Sequence, residues 1–171
     1  MSELTLPKID KSILDRKNEI VKKLSKLTNS ENVLSESDEK RPYETDALSV
    51  YTQTPLAVVL PENTEEVSEI LKYCYSENIK VVPRGAGTGL SGGALPLQDA
   101  ILLGLGKFNK ILEIDYDNKC VVTQPGVTNL GITHAVEHKG FYYAPDPSSQ
   151  LACSIGGNVA ENSGGVHSLK Y

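Results

Sequence analysis

Apolar residues along this chain alternate between helical and extended spacing, and each change of period marks an element. Between Asp10 and Thr28, Ile13, Ile20, Leu24 and Leu27 fall on one helical stripe that Asp10 or Ser12 can cap. The stretch Asn29 to Lys40 is rich in Ser, Glu and Asn and reads as a connection with a short strand at Val33 and Leu34. Ala57-Val58-Val59-Leu60 is a continuous apolar run between Pro55 and Pro61, as expected of a buried strand. Asn63 and Glu66 have capping-box spacing, with Asn in place of the usual Ser or Thr. Val67, Ile70, Leu71 and Cys74 then recur at i, i+3, i+4 and i+7, one face of a helix. Asn78 is a natural left-handed stop, and Ile79-Lys80-Val81-Val82 is a second strand. So short a crossover predicts that the two strands are parallel, right-handed neighbours.

Beyond Pro83 the pattern predicts short strands at Ala100 to Leu103, Ile111 to Ile114 and Cys120 to Gln124, and a helix from Thr128 to His138. Tyr143 to Tyr171 is dominated by Gly, Ser, Asn and Pro. Many strands with few helices after the first unit predict an α+β fold rather than a doubly wound sheet. The expected organisation is an N-terminal helical extension over residues 1–41 and a domain over residues 42–171.

Composition narrows the function. The chain has 171 residues with 39% hydrophobic and 23% charged, a globular balance. A net charge of -5 argues against nucleic-acid binding, which needs a basic face. No apolar run is long enough to span a bilayer, and Met1 to Asp10 lacks the basic-then-apolar pattern of a signal peptide. Cys74, Cys120 and Cys153 are odd in number and widely spaced, as reduced thiols of a cytoplasmic protein would be.

Candidate chemistry concentrates at Pro83-Arg84-Gly85-Ala86-Gly87-Thr88-Gly89-Leu90-Ser91-Gly92-Gly93, directly after a strand. Five glycines in nine residues are costly to order. Successive backbone N–H groups in mixed left- and right-handed conformations form a concave anion site, and only Gly admits a pyrophosphate so closely. Arg84 and the Thr88 hydroxyl can add a charge and a donor. The alternative is a mobile surface turn.

Two motifs here mislead. Gly87-Thr88-Gly89-Leu90-Ser91-Gly92 matches GxGxxG, with Glu113 about twenty residues further on. A dinucleotide site of that kind needs a helix opening at the loop, and Ala94-Leu95-Pro96-Leu97 leaves no room for one. No Lys-Ser or Lys-Thr follows, so the loop is not a P-loop either. His134-Ala135-Val136-Glu137-His138 fits HxxEH, but no downstream acidic helix supplies a third zinc ligand. A solvated helix end is the better reading, and no metal site is expected.

A second cluster runs from Pro145-Asp146-Pro147-Ser148-Ser149 through Cys153-Ser154-Ile155-Gly156-Gly157-Asn158-Val159-Ala160-Glu161-Asn162-Ser163-Gly164-Gly165. Small residues bracketed by glycine pairs pack poorly unless a flat ligand fills the gap beside them. The alternative is a glycine-rich turn flanking a short helix. Taken together, Pro55 to Pro61, Val82 to Gly93, Gln124-Pro125-Gly126-Val127 and Pro145 to Gly165 resemble the N-terminal half of the PCMH-type FAD-binding domain. That domain belongs to the vanillyl-alcohol oxidase superfamily, and the likeness is to its glycolate oxidase flavoprotein subunit and D-lactate dehydrogenase members.

The resemblance implies two α+β subdomains with FAD between them. It implies that Arg84, Gly85, Ala86, Gly87, Thr88, Gly89 and Leu90 wrap the pyrophosphate. Pro147, Ser148, Ser149, Cys153, Ser154, Gly156, Gly157 and Asn158 would lie along the flavin and its ribityl chain. Relatives that bind flavin covalently often carry a His in the Gly-rich loop, so Thr88 implies non-covalent FAD. The implied chemistry is hydride transfer from a 2-hydroxy acid to flavin N5. The catalytic Arg and base would come from a C-terminal cap that this chain does not match, leaving its catalytic residues unknown, and the cap or further subunits would be its partners. The competing classes are a non-catalytic flavin-binding module working beside a partner chain, and a same-fold oxidoreductase of another alcohol or sugar.

Overall fold

A computed structural model describes residues 7–168. The N-terminal stripe forms two helices rather than one, α1 (Lys11–Asp15) and α2 (Lys17–Leu24). Asp10 caps α1 by accepting the Ser12 N–H at 2.9 Å. Arg16 breaks the helix with ψ of 8°, and its guanidinium reaches Glu77 at 2.6 Å. After Leu24 the chain tightens into i→i−3 turns, with the Lys26 and Leu27 N–H groups on the carbonyls of Lys23 and Leu24. A 3₁₀ turn (Ser30–Asn32) leads to β1 (Val33–Leu34), and α3 (Ser37–Lys40) is followed by a second 3₁₀ turn, Arg41–Tyr43.

The first sheet adds β2 (Ala57–Val59), β3 (Lys80–Arg84) and β4 (Ala100–Gly104), in the order β1-β2-β4-β3. β1 is antiparallel to β2, while β4 is parallel to both β2 and β3. The expected strand pair is therefore parallel, but its members are not neighbours, because β4 lies between them. The reason is chemical. Pro83 falls inside β3 opposite Leu103 and has no N–H to give a second neighbour, which suits an edge strand. β4 is buried along its whole length and takes the centre.

Helix α4 (Thr64–Ser76) connects β2 to β3. Its cap is as the spacing predicts, with Asn63 Oδ1 accepting the Glu66 N–H at 2.8 Å. Ile70 and Cys74 face the sheet and join Ile13, Ile20, Leu24, Ala57, Val59, Ile101 and Leu103 in one buried cluster. The cluster includes residues from α1 and α2 as well as from the sheet. Val58 and Leu102 point the other way and are buried as well. Asp99, just ahead of β4, fastens the N-terminus to this sheet by accepting the Asp10 N–H and pairing with Lys80, both at 2.7 Å.

A second, antiparallel sheet pairs β5 (Ile111–Asp115) with β6 (Cys120–Thr123), with a bulge between Ile111 and Glu113. Asp115 accepts the Asn118 N–H at 2.9 Å, and Lys119 turns the chain at φ 55°. Helix α5 (Asn129–Val136) stops two residues short of His138. It tightens to 3₁₀ over Glu137–Lys139 and ends at Gly140 with φ 78°. Helix α6 (Ile155–Glu161) forms within the second small-residue cluster and is closed by Asn162 in left-handed conformation. No described helix is long and apolar enough to cross a membrane. The mixed α+β class expected from the pattern is the one found.

Candidate functional site

The site begins where β3 leaves the sheet. Arg84, its last residue, is buried, and its Nη1 donates to the Thr45 carbonyl at 2.8 Å and the Ala94 carbonyl at 3.4 Å. Its guanidinium also lies 5.8 Å from the Tyr43 ring centre. Burial pushes its pKa below the usual arginine value, partly offset by Asp46, yet an arginine remains a cation. Gly87 adopts φ 71°, its carbonyl takes the Ala47 N–H at 3.0 Å, and a Cβ there would strike Arg84 Nη2. Arg84 and Ala47 therefore hold the glycine loop from behind.

The front of the loop is different. Among the described residues, no backbone N–H from Gly85 to Gly93 donates to a protein acceptor. A row of uncommitted donors on a backbone that passes through positive φ at Gly87 and Gly92 is the arrangement that binds an anion.

Facing the loop is α6. Three backbone bonds seat it against residues 125–129: Ile155 N–H on the Val127 carbonyl, Gly156 N–H on the Pro125 carbonyl, both at 2.8 Å, and Asn129 N–H on the Cys153 carbonyl at 3.1 Å. Gly156 is required there, because a Cβ would stand 2.6 Å from Pro125 Cβ. Ser154 caps the helix, accepting the Gly157 N–H at 3.4 Å. Asn158 is buried, and its Nδ2 has no partner among the described residues.

Between the loop and α6 lies a groove of about 630 Å³. The structure brings the residues expected to wrap the pyrophosphate and to lie along the flavin to its walls. Arg84 to Leu90 form one side; Pro147, Ser148, Ser149, Cys153, Ser154, Gly156, Gly157 and Asn158 form the other. Leu105, to which no sequence motif pointed, also lines it, as do Pro125, Glu161 and Ser163, which lie in the stretches that carry the resemblance but were not expected to meet the cofactor. Glu161 lies three residues past Asn158 on α6, so a helical reading of this segment would have placed both on one face.

The other candidates lie apart from the groove walls. His167 pairs through Nδ1 with Asp146 Oδ1 at 3.0 Å. His138 falls beyond the end of α5 and meets the Tyr116 ring edge-on at 6.4 Å, so it does not share a helical face with His134. Cys74 is buried in the core, which pushes its thiol up to about 11.

The family model described as an FAD binding domain matches residues 55–171. The chain belongs to the FAD-binding domain family. FAD is the cofactor that this membership assigns. Both walls of the groove lie within the matched residues. Glycolate oxidase subunit GlcD of Escherichia coli (strain K12) is 56% identical over 139 residues, covering 81% of this chain and 28% of that protein. A D-lactate dehydrogenase of Anaerostipes hadrus is 34% identical over 172 residues, covering 100% of this chain and 34% of that one. The chain thus spans about a third or less of the length of these relatives. Among solved structures, 4-ethylphenol oxidase from Gulosibacter chungangensis superposes with a TM-score of 0.74 at 26% identity, over 90% of this chain and 30% of that one.

Proposed function

We propose that this FAD-binding chain is the cofactor-holding part of an oxidoreductase that converts a 2-hydroxy acid, such as glycolate or D-lactate, to the 2-keto acid. The observation that carries the reading is the groove, in which a glycine loop with uncommitted N–H groups faces a helix bearing a buried, unpartnered amide. In this reading the N–H groups from Gly85 to Leu90 hold the diphosphate, and Arg84 keeps the loop in shape. Ser154, Gly157 and Asn158 meet the flavin side, with Asn158 Nδ2 donating to a ligand oxygen. The names of the relatives, a glycolate oxidase subunit and a D-lactate dehydrogenase, support the substrate class. The word subunit in the first supports work beside partner chains.

Bound FAD supplies the hydride acceptor for the substrate's α-carbon. The protein's part is to position that acceptor and keep its diphosphate out of water. Thr88 offers no imidazole for a covalent link, so the cofactor is held by contacts alone. Acid precipitation of the flavin-loaded protein therefore leaves the chromophore in the supernatant, and flavin retained on the polypeptide contradicts this.

The functional test is genetic. Deleting the segment that encodes this chain removes glycolate- or D-lactate-dependent dye reduction from cell extracts. Restoring the chain brings the activity back, whereas the Gly87→Val form does not. Unchanged activity with both acids after deletion overturns the substrate assignment.

A further inference from the structure

The two charged residues that line the groove differ in role. Arg84 lies behind the glycine loop with Nη1 committed to carbonyls. Glu161 stands in front, exposed, on the last turn of α6. Its Oε1 lies 2.7 Å from where a Cβ on Gly93 would be and 3.6 Å from the same position on Gly89. The carboxylate therefore lies beside the loop whose N–H groups are uncommitted. Among the described residues it has no cationic partner, since the salt bridges there involve other carboxylates.

A carboxylate so placed has a definite effect on any anion in the groove. Like charges a few ångströms apart in a partly desolvated cleft repel, and salt screens the repulsion. Its position on α6 keeps it at the end of the wall, one helical turn from the buried Asn158 amide. The groove thus attracts a diphosphate with backbone donors and opposes it with one fixed negative charge.

We infer that Glu161 is a specificity-determining residue that weakens the hold on the diphosphate half of the cofactor and leaves the flavin half untouched. This rests on the groove being the FAD site. Glu161 thereby sets the rate at which a non-covalent cofactor is exchanged. It also makes affinity for phosphate-bearing ligands rise with ionic strength relative to a neutral variant, against the usual weakening of anion binding by salt.

Titrations of the purified protein with FAD, ADP and riboflavin test the inference. Replacing Glu161 by Gln keeps its size and removes its charge. E161Q is expected to bind FAD and ADP about three- to tenfold more tightly at low salt, with the advantage shrinking near about 0.5 M salt. Riboflavin, which has no phosphate, is expected to bind wild type and E161Q alike. Glu161→Lys is expected to tighten ADP further in the same direction. Unchanged or weaker ADP binding in both variants overturns the inference, as does equal tightening of riboflavin, which would indicate altered packing. Failure of the site reading is seen separately, as absence of ADP and FAD binding in wild type or indifference of both to Gly87→Val.

Discussion

Gly85 and Ser154 lie so close that a Cβ on the glycine would collide with the serine Oγ, although 69 positions separate them in the chain. The same Oγ caps α6 by accepting the Gly157 N–H. The glycine loop and the capping residue of the opposite wall thus share one point of contact, and the width of the groove depends on it. Gly85 is required by space alone, since its backbone is not in the left-handed region.

Gly85→Ala is therefore expected to push Ser154 off its cap, costing about 1 kcal/mol of stability, the usual worth of an N-cap, and weakening FAD at least tenfold. Removing the obstacle should relieve it. The double variant Gly85→Ala with Ser154→Ala is expected to bind FAD better than Gly85→Ala alone, a coupling that a double-mutant cycle measures. Strict additivity of the two changes would mean that the contact does not govern the groove.

Gly87→Val is expected to abolish FAD binding. Gly87 sits at φ 71°, where a β-branched residue is strained, and its added Cβ would displace the Arg84 guanidinium that braces the loop. Quenching of flavin fluorescence during titration reads the affinity. Wild-type affinity in this variant would remove the loop from the phosphate site.

The groove was legible in the sequence because both walls are local runs of glycine and small residues, whose composition makes little sense without a ligand. Strand order was less legible. The βαβ pattern at Ala57 to Val82 predicts parallel strands, but β4 comes from residues 100–104 and inserts between them. Pro83 held the available clue, since a strand lacking one N–H belongs at an edge. The break at Arg16 carries no Gly or Pro to announce it; its guanidinium is held by Glu19 in the first turn of α2 and by Glu77, 61 residues away. Glu161 was missed because Gly156 and Gly157 lower the helical propensity of α6, which forms through its Ser154 cap and its bonds to Pro125 and Val127.

Acid should loosen the hold on the N-terminus. Burial alone would raise the Asp99 pKa, but hydrogen bonds from Lys80 and the Asp10 N–H outweigh it and hold the carboxyl below its usual value. A group with a depressed native pKa contributes stability above its unfolded value, about 3.9, and loses that contribution as pH falls through the native value. Asp99→Asn is thus expected to cost about 1–3 kcal/mol at neutral pH and progressively less below about pH 4. Urea unfolding at several pH values measures this. A cost that stays constant down to the lowest pH would show that the charge of Asp99 does not hold α1 to the sheet.

The 171-residue chain by itself is expected to show no turnover of glycolate or D-lactate, even with FAD added. Oxidising a 2-hydroxy acid needs a cation for the carboxylate and a base for the hydroxyl proton, both within reach of the reacting carbon. Of the charged residues lining the groove, Arg84 is buried with Nη1 on the Thr45 and Ala94 carbonyls, and Glu161 would repel the substrate carboxylate. His167 is engaged by Asp146 and does not line the groove. Without orientation and proton transfer the rate falls by several orders of magnitude. Reduction of an artificial electron acceptor by purified chain with saturating FAD is the assay. Substrate-dependent reduction well above a heat-denatured control would place a clamp and a base within these residues, with Arg84 and His167 the first to be replaced.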